Sequence, residues 1–118
     1  MNIQHKKMVA GLAKPGTTIL KELTPSGAHL LHMCMGISGE AGELVDAIKK
    51  SIFYCKELDY ENVIEELGDL EFYLEGLRQG LGLTREQCIR SNVVKLGKRY
   101  KGHEYSDQQA SERADKNE

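Results

Sequence analysis

The chain has 118 residues, a formal net charge of −2 and a pI near 6.1, which indicates one small domain without bulk attraction to nucleic-acid polymers or anionic membranes. Its three cysteines are widely spaced and form no C-x-x-C pair, so a disulfide framework and a structural zinc site are not expected, and the reducing cytoplasm is favoured. No stretch approaches the roughly 20 apolar residues of a membrane span, and the N-terminus lacks the apolar region of a signal peptide.

The first predicted elements are a short helix, a linker and a long helix. Residues 2–13 are predicted to form a helix that ends at the Lys-Pro-Gly sequence of positions 14–16, because proline cannot continue a helix easily. A linker is predicted to follow. Thr24 and Pro25 form an N-cap and first-turn pair, which predicts a long helix from there to about Cys55.

Two further helices and a polar tail complete the predicted domain. Asp59 is a predicted N-cap, and the helix after it should end at residues 80–82. Thr84 begins a capping box for the next helix. We therefore expect a single all-α domain over residues 1–100. The tail, residues 101–118, has too few apolar residues for a core and is expected to be frayed, the alternative being a short helix that folds over a substrate.

Two pairs of carboxylates fall on the edges of successive helices. Glu40 and Glu43 lie roughly 80° and 140° from the centre of the apolar stripe of the long helix. Glu66 and Asp69 lie roughly 60° and 120° from the stripe of the next helix, with the same hand. A short connection favours an antiparallel hairpin, which brings flanks of equal hand to one side. Four such acids would repel one another unless a cation lay among them, and oxygen ligands suit Mg²⁺ or Mn²⁺.

Glycines occur in both acidic helices, where each costs up to about 1 kcal/mol relative to alanine. They are Gly36, Gly39, Gly42 and Gly68. Close helix packing or approach of a ligand would justify that cost, although the long helix could also break near its glycines. Taken singly, each acidic pair could equally be a solvated helix face.

The sequences GEAGEL and EELGDL, with twenty-two residues between Glu43 and Glu66, resemble the MazG-like branch of the all-α NTP pyrophosphohydrolases. The motif of that family is E-x-x-E and then E-x-x-D on successive helices. A later segment, Asn92-x-x-Lys95-Leu96-x-x-Arg99-Tyr100, is similar to the third sequence block of the family, so that the resemblance covers roughly residues 30–100. It implies a hydrolase that uses Mg²⁺, with Mn²⁺ as an alternative, to cleave a nucleoside triphosphate into a monophosphate and pyrophosphate.

The resemblance also implies an assembly and roles for the site residues. Helices of two protomers would complete one four-helix core in a homodimer, or in a homotetramer of paired dimers. The residues implied to bind metal and act in catalysis are Glu40, Glu43, Glu66 and Asp69. The residues implied to contact the substrate phosphates are Asn92, Lys95 and Arg99, with the alternative that Arg99 pairs with an acid. From spacing alone, these three share one stripe of their helix, which could also be a solvated basic face.

Several alternatives stay open at this point. A related enzymatic activity is that of phosphoribosyl-ATP pyrophosphohydrolase, and a non-enzymatic one is a helical module whose apolar stripes bind a partner helix. His29 and His32 lie on the same flank as Glu40 and would either line a nucleobase pocket or serve the structure. The aromatic residues beside the stripes would either stack on a base or pack in the core; they are Phe53, Tyr54, Phe72 and Tyr73.

Overall fold

The computed structural model describes residues 2–116, and all regular structure within them is helical. The six α-helices are α1 (Asn2–Leu12), α2 (Gly16–Glu22), α3 (Pro25–Phe53), α4 (Tyr60–Leu81), α5 (Arg85–Arg99) and α6 (Asp107–Glu112). Short 3₁₀ turns at Lys101–His103 and Ala114–Lys116 flank α6. The all-α fold class is therefore confirmed for this part of the chain. Residue 1 of the predicted domain and residues 117–118 of the predicted tail lie outside the described residues.

The predicted linker after α1 was wrong, because residues 16–22 form α2. Pro15 ends α1 and begins α2 at the same time. It is the N-cap residue of α2, and its carbonyl oxygen accepts hydrogen bonds from the amides of Thr18 and Ile19 at 3.0 and 3.1 Å. A proline is compatible with the start of a helix, since the first amides of a helix have no partner within it.

Helix α3 starts where the sequence predicts and runs without a break. The Thr24 hydroxyl accepts a hydrogen bond from the Gly27 amide at 3.0 Å, and Pro25 occupies the first turn. The helix continues past all of its internal glycines to Phe53. The possible break therefore does not occur.

Helices α3 and α4 form an antiparallel hairpin, which contains the main tertiary packing of the described chain. Asp59 caps α4 by accepting from the Asn62 amide at 3.1 Å, and Gly82 ends the helix in the left-handed conformation. Three neighbouring pairs set the register between the helices: Gly36 with Tyr73, Met33 with Gly76, and Leu30 with Gly80. The same register, continued toward the hairpin connection, places the two acidic pairs opposite each other.

Helix α5 begins with the predicted capping box. The Thr84 hydroxyl accepts from the Gln87 amide at 3.1 Å, while the Gln87 side chain accepts from the Thr84 amide at 2.7 Å. The main tertiary contacts of α5 are with residues 101–116 rather than with the α3–α4 hairpin.

The tail, described here over residues 101–116, is folded back along α5 and contains α6, so the short helix is formed and the expected fraying is not observed. Left-handed residues at Gly102 and Arg113 turn the chain. The Ser106 hydroxyl caps α6, and the Gln109 side chain accepts a hydrogen bond from the Lys101 amide at 3.0 Å. The segment is held by polar bonds and has no apolar core. Because its composition contains few apolar residues, the sequence predicted a frayed tail.

The single chain buries little of its apolar surface. Its radius of gyration is 20.2 Å, whereas a compact domain of this length is expected to have one of about 13–14 Å. Met33, 5% exposed, is the one buried apolar side chain among residues 4–116, while Val45, Ile52 and Phe72 are largely exposed. Within the described chain, every helix is too short or too polar to cross a bilayer.

Candidate metal and phosphate site

Three of the four predicted acids converge on one edge of the α3–α4 hairpin. Glu40 and Glu43 come from α3 and Glu66 comes from α4, and one carboxylate oxygen of each lies within 4.8 Å of the others. We call these three residues the acidic cluster. Glu40 and Glu43 are three residues apart and therefore lie on nearly the same flank of α3. The antiparallel register places Glu66 of α4 opposite them.

Two oxygen atoms of the acidic cluster are buried without a hydrogen-bond partner: Oε2 of Glu40 and Oε2 of Glu66. Ionised carboxylates only accept hydrogen bonds, so the two groups cannot satisfy each other without a proton or a cation. Leaving such groups unpaired is costly in a folded protein. The chemistry of this donor set fits a hard divalent cation, which takes oxygen ligands.

The proximity of the three acids perturbs the titration of Glu66. The side-chain interaction with Glu40 is the main cause that raises the pKa of Glu66 from 4.5 to about 7. Loss of solvent and the nearby Glu43 carboxylate raise this pKa further. Protonation of Glu66 would relieve the repulsion among the three carboxylates, and a bound cation would do the same.

Asp69 is exposed and does not belong to the acidic cluster. It lies one turn beyond Glu66 on α4, and its side chain is one methylene shorter than that of a glutamate. The structure thus brings together three of the four acids. A role of Asp69 as a metal ligand stays a prediction.

The predicted phosphate-binding residues lie on α5, apart from the acidic cluster. Asn92 is exposed and Lys95 is half-buried. No hydrogen bond or ion pair within residues 4–116 joins Asn92, Lys95 or Arg99 to the acidic cluster. Lys95 lines a pocket of about 250 Å³, here called the basic pocket, whose other lining residues are Ser91, Val94, Lys98, Asp115 and Lys116.

Arg99 is paired with an acid, which was the alternative to a phosphate contact. Its Nε donates to Oδ1 of Asp115 at 2.9 Å, and its Nη2 donates to Oδ2 at 3.4 Å. Sequence reasoning did not find Asp115. The two residues are sixteen positions apart across a polar segment, so neither helical periodicity nor a motif connects them.

The two histidines have different surroundings. His29 Nε2 lies 2.9 Å from the Gly76 carbonyl oxygen, a hydrogen bond that ties α3 to α4 and indicates a structural role. The His32 ring approaches Tyr73 edge-on at 6.1 Å, and Tyr73 in turn meets Phe72 at 5.1 Å. Contact of His32 or of the aromatic residues with a nucleobase stays a prediction.

The chain matches a known protein family. Residues 29–103 match the model of the MazG nucleotide pyrophosphohydrolase domain, a span that contains both acidic pairs and the α5 residues. The match covers more than half of the chain. The chain therefore belongs to the MazG nucleotide pyrophosphohydrolase family, as its sequence motifs indicated. No match was found among curated proteins or among solved structures.

Proposed function

We propose that this protein is a Mg²⁺-dependent nucleoside triphosphate pyrophosphohydrolase, which cleaves ribo- or deoxyribonucleoside triphosphates between the α and β phosphates. The products are the nucleoside monophosphate and pyrophosphate. The observation that supports it most is the acidic cluster with its two buried, unpartnered oxygens, in a chain of the MazG family. In a fully solvated acidic face, by contrast, the carboxylate oxygens would be in contact with water.

The proposed chemistry assigns one role to each group of residues. Glu40, Glu43 and Glu66, with Asp69 as a further proposed ligand, would hold one or two Mg²⁺ ions, which in such sites neutralise phosphate charge and orient the attacking water. One of the four acids would accept the proton of that water. Asn92 and Lys95 would contact phosphate oxygens, where a lysine acts as a point charge.

We also propose that the active form is a homodimer or a homotetramer in which two α3–α4 hairpins form one four-helix core. The open shape and the exposed apolar side chains of the single chain support this assembly. An apolar groove of about 410 Å³ runs along the second half of α3 and offers a contact surface; its lining residues are Leu44, Val45, Ile48, Lys49, Ile52 and Phe53. A partner hairpin would cover this groove.

The proposed setting is the cytoplasm, with a nucleotide rather than a nucleic-acid polymer or a membrane as the partner. The three cysteines are free and exposed in the structure, which suits a reducing compartment. The formal net charge of −2 offers no general attraction to polyanions.

The direct test is product analysis with each nucleoside triphosphate and Mg²⁺. The protein should release pyrophosphate and monophosphate rather than orthophosphate, and Glu66→Gln should abolish turnover while leaving helix content intact. Glu65→Gln is the matched control, because Glu65 is an exposed acid of the same helix outside the cluster. Full activity of Glu66→Gln at saturating Mg²⁺ would contradict the assignment.

The same measurement separates the alternatives. Turnover of phosphoribosyl-ATP alone, among all substrates offered, would favour the phosphoribosyl-ATP pyrophosphohydrolase reaction. The exposed apolar stripes favour a second candidate, a non-catalytic module that binds a partner helix. That candidate predicts no turnover and no saturable Mg²⁺ binding, since a solvated acidic face responds to ionic strength alone.

A further inference from the structure

The Arg99–Asp115 pair closes the tail onto α5. The Arg99 guanidinium makes two nitrogen–oxygen contacts with the Asp115 carboxylate. The Arg99 side chain is 17% exposed and the Asp115 side chain is 4% exposed. The hydrogen bond from Arg99 lowers the pKa of Asp115, so the carboxylate is ionised at neutral pH. An arginine offers the same planar fork to a phosphate group as to a carboxylate.

Asp115 also lies among positive charges that do not come from Arg99. It lines the basic pocket together with Lys95, Lys98 and Lys116, and it is the only acid among the described residues that line this pocket. The Ser91 hydroxyl adds a polar group that can donate to an oxyanion. The Asp115 carboxylate of the chain itself therefore occupies this positively charged surface.

Besides the Arg99–Asp115 pair, the tail contacts the end of α5 through the Tyr105 ring, whose centroid lies 5.7 Å from that of Tyr100. Its turns require left-handed conformations at Gly102 and, less favourably, at two residues that are not glycines, His103 and Arg113. Its internal bonds are short-range and polar, as in the Ser106 cap of α6 and the Tyr105–Asp107 hydrogen bond. None of residues 101–116 is fully buried. The main tertiary contacts of this segment are with α5 rather than with the α3–α4 hairpin.

We propose that the tail is a built-in competitor, through Asp115, for the phosphate oxyanions that the family resemblance implies at Lys95 and Arg99. An incoming phosphate group would take the place of the Asp115 carboxylate on Arg99, beside Lys95, and would release residues 101–116 from α5. The identity of the phosphate ligand as a nucleoside triphosphate rests on the proposed function, whereas competition by Asp115 does not.

Calorimetric titration with inorganic tripolyphosphate, without metal, tests the competition on the full chain. Asp115→Asn removes the charge with little change in shape, and it should tighten tripolyphosphate binding by at least about fivefold, a usual size for coupling between two ligands. Asp107→Asn is the matched control, because it removes the same charge from the same tail at a residue that does not contact Arg99. Unchanged or weaker binding by Asp115→Asn would overturn the proposal, and weaker binding would show that Asp115 positions Arg99.

A second variant shows whether the effect passes through Arg99. Arg99→Gln should weaken binding of tripolyphosphate, and adding Asp115→Asn to it should produce no further tightening. If Asp115→Asn tightened tripolyphosphate binding as much in the Arg99→Gln protein as in the unsubstituted one, the exchange of Asp115 for phosphate at Arg99 would be excluded. Helix content, measured by circular dichroism, is compared among all variants.

The unsubstituted protein provides a test that requires no variant to fold. Tripolyphosphate should accelerate tryptic cleavage after Lys101 and Arg113, because release from α5 would let the backbone around these exposed residues unfold. Unchanged or slower cleavage at both bonds would overturn the proposal. If the protein turns over no nucleotide yet Asp115→Asn binds tripolyphosphate more tightly, competition by the tail is supported and the proposed enzymatic function is wrong. If turnover is normal and Asp115→Asn does not bind tripolyphosphate more tightly, only the proposed competition is wrong.

Discussion

The Tyr73 ring lies against Gly36 so closely that a β-carbon at position 36 would come within 2.2 Å of Tyr73 Cδ1. This contact sets the separation of α3 and α4 one turn away from the acidic cluster. Gly36→Ala should therefore destabilise the protein by about 1–3 kcal/mol, because overpacking outweighs the better helix propensity of alanine, about 1 kcal/mol. Gly39→Ala, where an added β-carbon would meet nothing within 4 Å beyond its own helix backbone and chain neighbours, should instead stabilise the protein slightly. Urea unfolding of both variants checks the opposite signs, and equal effects would show that the hairpin is not tightly packed at Tyr73.

Removal of the metal should lower the thermal stability of the protein. A ligand that binds only the folded state at 100 times its dissociation constant adds about 2.7 kcal/mol. Saturating Mg²⁺ should accordingly raise the melting temperature of the unsubstituted protein and of Glu65→Gln, but not that of Glu66→Gln. Without metal, Glu66→Gln should be at least as stable as the unsubstituted protein, because it relieves repulsion from Glu40 and Glu43. A metal-induced shift of equal size in all three proteins would remove Glu66 from the site.

The raised pKa of Glu66 predicts the pH dependence of metal binding. Because this pKa is about 7 in the folded protein and 4.5 for an ordinary glutamate, the metal-free protein should lose stability as pH rises from about 4.5 to 7. Mg²⁺ must displace the proton, so its affinity should increase over the same range. Calorimetry in buffers of different ionisation enthalpy should detect release of about one proton at pH 6 and almost none at pH 8. Equal release at both values would contradict the assignment.

Lys95 should contribute to substrate binding more than to the chemical step. A charge-assisted hydrogen bond to phosphate is worth about 1.5–3 kcal/mol, with the lower end expected here because Lys95 is only half-buried. Lys95→Ala should thus raise KM about tenfold with a smaller effect on kcat. Arg90→Ala, which removes an exposed cation from a different side of α5, is the control. Steady-state kinetics of the two variants distinguishes a specific contact from a general loss of positive charge.

The proposed assembly can be tested at Ile52, which is 65% exposed in the single chain and lines the apolar groove of α3. Ile52→Glu would cost little in a monomer, within about 0.5 kcal/mol, but it would place a charge in the core of the proposed dimer. Light scattering coupled to gel filtration should show a smaller particle for this variant. A matched change at Leu20, an exposed apolar residue of α2, should leave the particle mass unchanged. An identical mass for the Ile52 variant would exclude this groove as the contact surface.

Much of the local structure could be predicted because it depends on neighbours in the chain. Thr24, Asp59 and Thr84 each cap the helix that follows with their own side chains, so residue type and position are sufficient to locate the starts of α3, α4 and α5. The spacing of the acids likewise indicated a shared flank before any packing was known. The start of α2 was missed, since the proline that ends one helix was read only as a barrier and not as the beginning of the next.

Contacts between distant residues were decided by the tertiary structure. The antiparallel register determines that Glu40 and Glu66 each bury an oxygen while Asp69 remains exposed, a distinction that side-chain spacing on one helix cannot make. The return of the tail places Asp115 on Arg99, although the polar composition of that segment predicts no core. The sequence by itself determined helices, caps and the acidic motif through short-range hydrogen bonds and periodicity. Only the packing of α3 on α4 and of the tail on α5 decided which charged groups meet, because those encounters depend on burial and on positions far apart in the chain.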